Sequence, residues 1–496
     1  MKNIKKYIFL AVGVGILASG CNKFREFGDT NVDQTRVAKA ATKALLTFAM
    51  QKSQVNGATN TNATTTLSTT GAIFGQHISE GPYLTVSPFN DAGSTLNPSY
   101  YGFYSEVLKN LNQVITFARA GAPEADPAAN GSINNQIAVA RIMKAYIFWK
   151  ITDRWGDVPY TEALNSANIT PKFTKQEEIY KDLFKELKEA VAQIDAGAGP
   201  TGDIMFGGDM DSWKKFAATQ RLLMALRLSK VYPNAGEFAA TEFASAISAT
   251  PLASGETLKY TFLAGDPNNL NPWYNNYSIS NRNDFAISKT IVDIMKNNGT
   301  GTDPRLPVYG EVLAGNQVVG LLFGVQTQVN IPNSYSRIGT ALRGAGSPAY
   351  IFTGAQVQFA LAEGAKRGWI AGGDATAANY YNAGIDASLT QYGVANPAFK
   401  TATGILYNPA TALQQIGTQR WIALYLDGWE AWSEFRRTGF PALVPGPNSQ
   451  NGTVIPRRVG YPTADQTTNS ANYAAALAQQ GWTTNSINNR MWWDKP

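Results

Sequence analysis

A single histidine and a single cysteine occur in 496 residues, and these two scarcities exclude much chemistry. His77 alone cannot supply the multi-histidine sets that hold catalytic zinc, and it leaves one imidazole for general-base work. Within Phe74-Gly75-Gln76-His77-Ile78 it is read as a hydrogen-bonded structural residue. Cys21 has no partner thiol, so no disulfide can form within the chain, and stability must come from a large core, which this length can supply. No G-x-S-x-G elbow follows residue 20, and no phosphate-loop pattern occurs anywhere. Gly344-Ala345-Gly346-Ser347-Pro348-Ala349 matches a dinucleotide fingerprint by letter only, because Pro348 and the missing βαβ context contradict it. Neither a cofactor nor a metal site is expected.

Charge of one sign is also scarce. The chain carries 42 basic and 36 acidic side chains. Residues 1–20 read as a cleaved secretory signal: Lys2, Lys5 and Lys6 form a basic start, Tyr7 to Leu17 a short apolar run, and Ala18-Ser19-Gly20 the small residues before Cys21. Removing them leaves 39 basic against 36 acidic groups, a balance that gives no argument for nucleic acid. No later apolar run reaches bilayer-spanning length, so the body is expected to be soluble and tethered.

Helical periodicity dominates what is present. Helices are expected over Ala38 to Gln54, Phe103 to Ala120, Asn135 to Thr152, Asp211 to Tyr232 and Gly354 to Arg367. Thr174-x-x-Glu177 reads as a capping box opening a helix to Ile194, with Ile179, Leu183, Leu187, Ala190, Val191 and Ile194 inward. Asp374 reads as the cap of the helix that follows it. Asn56 to Thr70 is Thr/Asn-rich and expected to be a loop or loose surface. Residues 251–350 change character: Gly, Asn, Pro, Ser and Tyr dominate, and periodicity survives only near Ser288 to Asn297. A long irregular insertion on a rigid frame is the usual place for a binding surface.

The chain reads as organised around Gln419 to Pro441, a central packing rod apolar around most of its girth. Trp421, Leu424, Tyr425, Gly428, Trp432 and Phe435 share one face, and Asp427, Glu430, Glu434 and Arg437 form its polar stripe. Gly428 marks a kink, a break or a tight crossing, and Gly439 with Pro441 ends the helix. Glu430 and Glu434 sit four apart on one face, a spacing that could present two carboxylates together, as a glycosidase needs. The simpler reading is that they, Arg436 and Arg437 satisfy one another beside a crowded core, since nothing in the sequence pushes two carboxyl pKa values apart.

The string QRWIALYLDGWEAWSEFRRTGFPAL resembles the C-terminal signature of the SusD/RagB family, in particular its SusD-like branch. RWGDVPYTEAL (Arg154 to Leu164) and DPRLPVYG (Asp303 to Gly310) are similar to further family landmarks. In the first, Arg154 and Asp157 are expected to pair beside Trp155. The residues up to Cys21 resemble a bacterial lipoprotein box, with Ala18 where the family leucine is expected and Leu17 one place earlier. The resemblance implies a mainly α fold, a tetratricopeptide-like helix-pair superhelix with the loop-rich insertion. A tether is expected over residues 21–37, with Phe24 and Phe27 docking onto the body, followed by a single SusD-like domain over 38–496. The resemblance further implies an outer-membrane lipoprotein acylated at Cys21, facing the exterior, that passes oligosaccharides or peptides to a SusC-like TonB-dependent transporter without acting as an enzyme.

Tryptophan position narrows the site. Of eleven, only Trp273 falls in the insertion, within Asn271-Pro272-Trp273-Tyr274-Asn275-Asn276-Tyr277. A sugar ring offers a flat C–H face for an aromatic platform and hydroxyls for amide and guanidinium groups. Trp273, Tyr274, Asn276, Tyr277 and Arg282, with Tyr83, Phe89, Tyr335 and Arg337, are therefore the expected ligand contacts. Two other functions stand beside this one. A surface glycan hydrolase built on Glu430 and Glu434, or on scattered acids, predicts sugar release, and a structural or adhesive lipoprotein predicts no small ligand.

Overall fold

Helix pairs laid side by side make the frame. The structure, a computed structural model, describes residues 39–55, 65–90, 100–296, 302–327 and 330–496. Cys21, Phe24, Phe27 and the tether lie outside the described residues. The main helices are α1 (Thr42–Gln54), α2 (Thr69–Phe74), α3 (Lys109–Arg119), α4 (Ile133–Trp155), α5 (Gln176–Ala192), α6 (Met210–Arg227) and α7 (Phe238–Ser248). They continue with α8 (Lys289–Lys296), α9 (Gly354–Lys366), α10 (Gly373–Gln391), α11 (Ala412–Ala423), α12 (Gly428–Thr438), α13 (Thr463–Thr468) and α14 (Ser470–Gln479). Sequence neighbours pack together: α3 on α4, α4 on α5, α6 on α7, α9 on α10, and α11 on α12. This is the expected succession of tetratricopeptide-like pairs, and Thr42–Pro496 forms one compact unit.

Among the described residues, strands are few and short. Three antiparallel two-stranded ribbons pair β1 (Ile78–Glu80) with β5 (Phe285–Ile287), β2 (Val158–Pro159) with β3 (Phe173–Thr174), and β4 (Thr257–Tyr260) with β6 (Ala349–Thr353). The third joins the two ends of the insertion to each other, and the first fastens its middle to the frame beside α2.

The central rod is two helices. Leu426 adopts a positive φ of 71°, so α11 stops at Ala423 and α12 restarts at Gly428, capped by the Asp427 side chain on the Glu430 amide. A Cβ on Gly428 would come within 2.2 Å of the Ala72 nitrogen. Glycine is therefore required by the tight crossing of α2, so of the three readings of that residue the break and the crossing both apply. Gly439 ends α12 in the left-handed conformation at φ 80°, as expected of a C′ glycine.

Several local expectations are corrected. Thr174 caps nothing: it lies in β3, where its hydroxyl accepts from the Thr161 amide, and α5 begins at Gln176. The first amide of that helix instead donates to Asp157, at 2.7 Å. Asp157 is thus occupied across the turn and does not pair with Arg154, whose guanidinium stacks 4.4 Å over the Trp429 ring. Asp374 lies inside α10 and accepts from Lys366 and Tyr407. The Thr/Asn-rich stretch is not loose where it is described, because Thr65 to Thr70 are buried and lead into α2.

His77 is fully buried between α2 and the junction of α11 and α12. The Leu426 amide donates to Nδ1, which leaves the proton on Nε2, and Nε2 donates to the Trp421 carbonyl, each at 3.2 Å. Burial pushes the imidazole pKa down to about 3. The folded pKa lies below the unfolded value near 6.5, so this group's stabilisation is complete above about pH 6.5 and is lost as pH falls toward 3, at roughly 1 kcal/mol per pH unit. The lone imidazole resonance in a proton NMR titration is expected to stay in the neutral position from pH 8 to 5. A midpoint near 6.5 would refute the burial.

The polar stripe of the rod is not a surface. Glu430, Glu434 and Arg437 are buried in a cluster drawn from five helices. Lys150 pairs with Glu430 at 3.1 Å. Arg227 reaches Glu430 at 2.6 Å, Asp153 at 3.2 Å and also Glu434. Arg420 and Arg437 hold Glu434 at 2.9 and 2.7 Å, and Arg437 takes Glu363 at 2.6 Å through both of its terminal nitrogens. Four buried cations thus face four carboxylates, and the partly exposed Arg367 adds a further pairing to Glu363 at 2.8 Å. Arg436 takes a different part from the one expected: it donates to the Asp153 and Arg457 carbonyls and lies 3.4 Å over the Trp432 ring.

Candidate functional site

A polar cleft of about 370 Å³ opens in the insertion, lined by Tyr277, Asn281, Arg282, Asn283, Glu311, Leu313, Asn333, Tyr335, Arg337 and Arg343. Four loops meet there, and their fastening is legible atom by atom. Asn271 caps the turn Pro272–Tyr274 through the Trp273 amide, while its side-chain amide donates to the Ser347 carbonyl. That pair of bonds locks the aromatic turn against the loop that carries Arg343. Asn283 donates to the Ile331 carbonyl at 2.9 Å. Gly310 bridges Ile338, and the Glu311 amide donates to the Arg337 carbonyl, which brings Glu311 alongside.

Two kinds of group face the cleft. The first is aromatic: Tyr277 is half-buried with its hydroxyl on the Phe285 carbonyl at 2.8 Å, which pushes the phenol pKa up through burial, and Tyr335 is half-buried on the other side. The second is charged or amide. Arg343 lies 4.9 Å from the Tyr277 ring centroid and pairs with Glu311 at 3.0 Å. Arg282 pairs with Asp284 and lies 5.7 Å from the ring of Tyr83, which is 59% exposed. Ring faces beside guanidinium, carboxylate and amide groups suit a ligand with flat C–H faces and a hydroxyl rim.

The expected contacts separate into three groups. Tyr277, Arg282, Tyr335 and Arg337 line the cleft, and Tyr83 stands beside Arg282. Tyr274 and Asn276 are half-buried in the same turn but do not line it. Trp273 and Phe89 are corrections: both are core residues. Trp273 is fully buried with Phe285 edge-on at 5.9 Å, and Phe89 packs edge-on against Phe74 at 5.4 Å. Arg337 lines the cleft as a fastener, since its guanidinium is spent on the Ile331, Pro332 and Tyr335 carbonyls and on Asn283. Glu311, Arg343 and the amides Asn281, Asn283 and Asn333 were missed, because their meeting depends on loop pairings that leave no local pattern.

The Glu430–Glu434 pair cannot act on a sugar. Both carboxyls are buried under basic partners, and Arg227 with Lys150, and Arg420 with Arg437, hold both below the ordinary carboxylate range. A glycosidase acid needs its pKa raised, in reach of substrate. No group of acids, histidines or cysteines placed to hold a metal occurs among the described residues. Among them, too, no helix is long and apolar enough to cross a membrane.

Residues 34–462 match the SusD-like family, described as starch-binding and associating with the outer membrane. Among solved structures, a chitin-binding protein is 31% identical at a TM-score of 0.76, with 92% of this chain and 100% of that one covered. A chitin-binding SusD homologue from Flavobacterium johnsoniae is 24% identical at a TM-score of 0.71, covering 92% and 98%. A SusD homologue from Bacteroides uniformis is 21% identical at 0.75, covering 92% and 100%; these last two likenesses show the fold alone. Comparison with curated proteins finds no match.

Proposed function

Because the chain belongs to the SusD-like family of outer-membrane-associated binding proteins, we propose that it captures oligosaccharides in the insertion cleft and hands them to a SusC-like TonB-dependent transporter. The observation that carries this reading is the cleft itself, where Tyr277 and Tyr335 stand among Arg282, Arg343, Glu311 and three asparagines. It is built for binding and not for bond cleavage: Glu311 is the one carboxylate in its lining, and that group is already paired with Arg343. The likeness to a chitin-binding protein across 92% of the chain supports N-acetylglucosamine oligomers as the first ligands to try. Acylation at Cys21 would hold the body at the membrane without a spanning helix, since several acyl chains anchor far more firmly than one. We place the protein on the outer face, where polymer fragments arrive.

The test is calorimetric titration with chitin, starch and cellulose oligomers and with peptide pools, sugar release being followed in the same samples. Binding without product is expected. Arg282→Ala and Tyr335→Ala are each expected to weaken it about tenfold, the equivalent of one lost stacking or charged contact. Unchanged affinity in both variants would remove the cleft from the proposal. Peptide binding in place of glycan binding would change the ligand, and product formation would end the non-enzymatic reading.

A further inference from the structure

A second cleft, of about 470 Å³, lies on the helical frame and shares no residue with the first. One wall is the turn Tyr100–Gly102 and the π-helical segment that follows it, Phe103–Leu108, which present Tyr100, Tyr101 and Tyr104 side by side with ring centroids 5.3 and 5.4 Å apart. The opposite wall is the end of β2 and the segment after it, with Pro159, Ala163, Leu164, Ile169 and Pro171. Tyr101 is 47% exposed and Ile169 is 88% exposed, large apolar groups that a surface does not need. Leu164 holds a positive φ of 63°, and π-helical turns and such backbone outliers cluster at binding sites.

Asp465, at the start of α13, supplies the polar end. It is 8% exposed, and its Oδ1 accepts from the Tyr101 hydroxyl at 2.8 Å. Its Oδ2 is buried with no hydrogen-bond partner. A buried carboxylate oxygen left unpaired is costly, and a ligand N–H or O–H would satisfy it. Asn165 and Ser166 add amide and hydroxyl groups at the rim, and the exposed Lys109 stands at the mouth.

We propose that this cleft is a second saccharide site, selective for an acetamido sugar. The three features match that ring's three chemistries. Its flat face stacks on Tyr101, its acetyl methyl packs on Ala163, Leu164 and Pro171, and its amide N–H donates to Asp465. A plain glucose unit has no methyl for the apolar wall, so the discrimination resides there. The proposal rests on the glycan-binding reading above. A protein holding one polymer at two sites gains affinity with chain length that neither site has alone.

The experiment is titration of the full chain with di-N-acetylchitobiose and with cellobiose, by calorimetry and saturation-transfer NMR. The wild type, Arg282→Ala/Tyr335→Ala, and that double variant with Tyr101→Ala or Asp465→Asn added are compared. Tyr101 is exposed and Asn is isosteric with Asp, so both additions are expected to leave the fold intact, and thermal unfolding checks this. With the insertion cleft disabled, residual saturable binding of the acetylated disaccharide is expected, with cellobiose much weaker. Tyr101→Ala or Asp465→Asn should then weaken it about tenfold. Absence of residual binding, residual binding indifferent to both changes, or equal binding of cellobiose overturns the second site while leaving the first standing. A wild type that binds neither sugar overturns both.

Discussion

Arg227→Met is expected to lower the unfolding free energy by about 3–5 kcal/mol, the cost of stripping one partner from a buried ion pair. Arg227 is fully buried and touches three carboxylates, Asp153, Glu430 and Glu434. Methionine fills much of the same volume, so the loss reads charge and not a cavity. With the guanidinium gone, Glu430 and Glu434 lose a shared counter-charge, and their pKa values should rise. At present Glu363 is held down to about 2, and Glu434 lower still, by their arginines. Folded values below unfolded ones give stability that is present above about pH 4.5 and lost as pH falls through the folded values. In the variant, the acid limb of a urea-unfolding series should therefore move toward neutral pH. A loss under 1 kcal/mol would mean that water reaches the cluster.

Trp273→Ala is expected to destabilise by about 3–5 kcal/mol, the usual cost of truncating a buried large aromatic. Its ring is wholly buried against Phe285, so the damage should appear in thermal unfolding first. Any loss of ligand binding should follow in proportion to the unfolded fraction. A variant of wild-type stability that no longer binds would make Trp273 a contact after all. Tyr335→Ala is the matched control, with the opposite pattern.

The misplacement of Trp273 shows where sequence reading stopped. Composition singled out the insertion, and the structure brings Tyr277, Arg282 and Tyr335 of the expected contacts to one cleft there. An aromatic in an irregular segment looks the same whether it faces water or plugs the frame, and Asn271, which decides this, acts through a carbonyl at Ser347. Glu311 and Arg343 pair across 32 residues, a separation that no periodicity encodes. The rod was legible because its helical period is local, and Gly428 announced the break. Its charges were expected to satisfy one another beside the core; Glu434 and Arg437 do so, and the further partners Lys150, Arg227 and Glu363 were not legible because they lie on other helices. Asp157 was assigned to Arg154 by proximity in sequence, whereas the amide it caps, on Gln176, comes into reach only once β2 and β3 pair.

The charge cluster also bears on how the frame gives way. Stacked helical repeats ordinarily fray from their ends, each unit leaving with only its neighbour's loss. Here α4, α6, α9, α11 and α12 share one set of paired ions, and detaching any of them strands charge in a buried interior. Such a body yields all at once or not at all. Under a pull applied at one point, it would transmit force like a lever instead of unravelling like a chain.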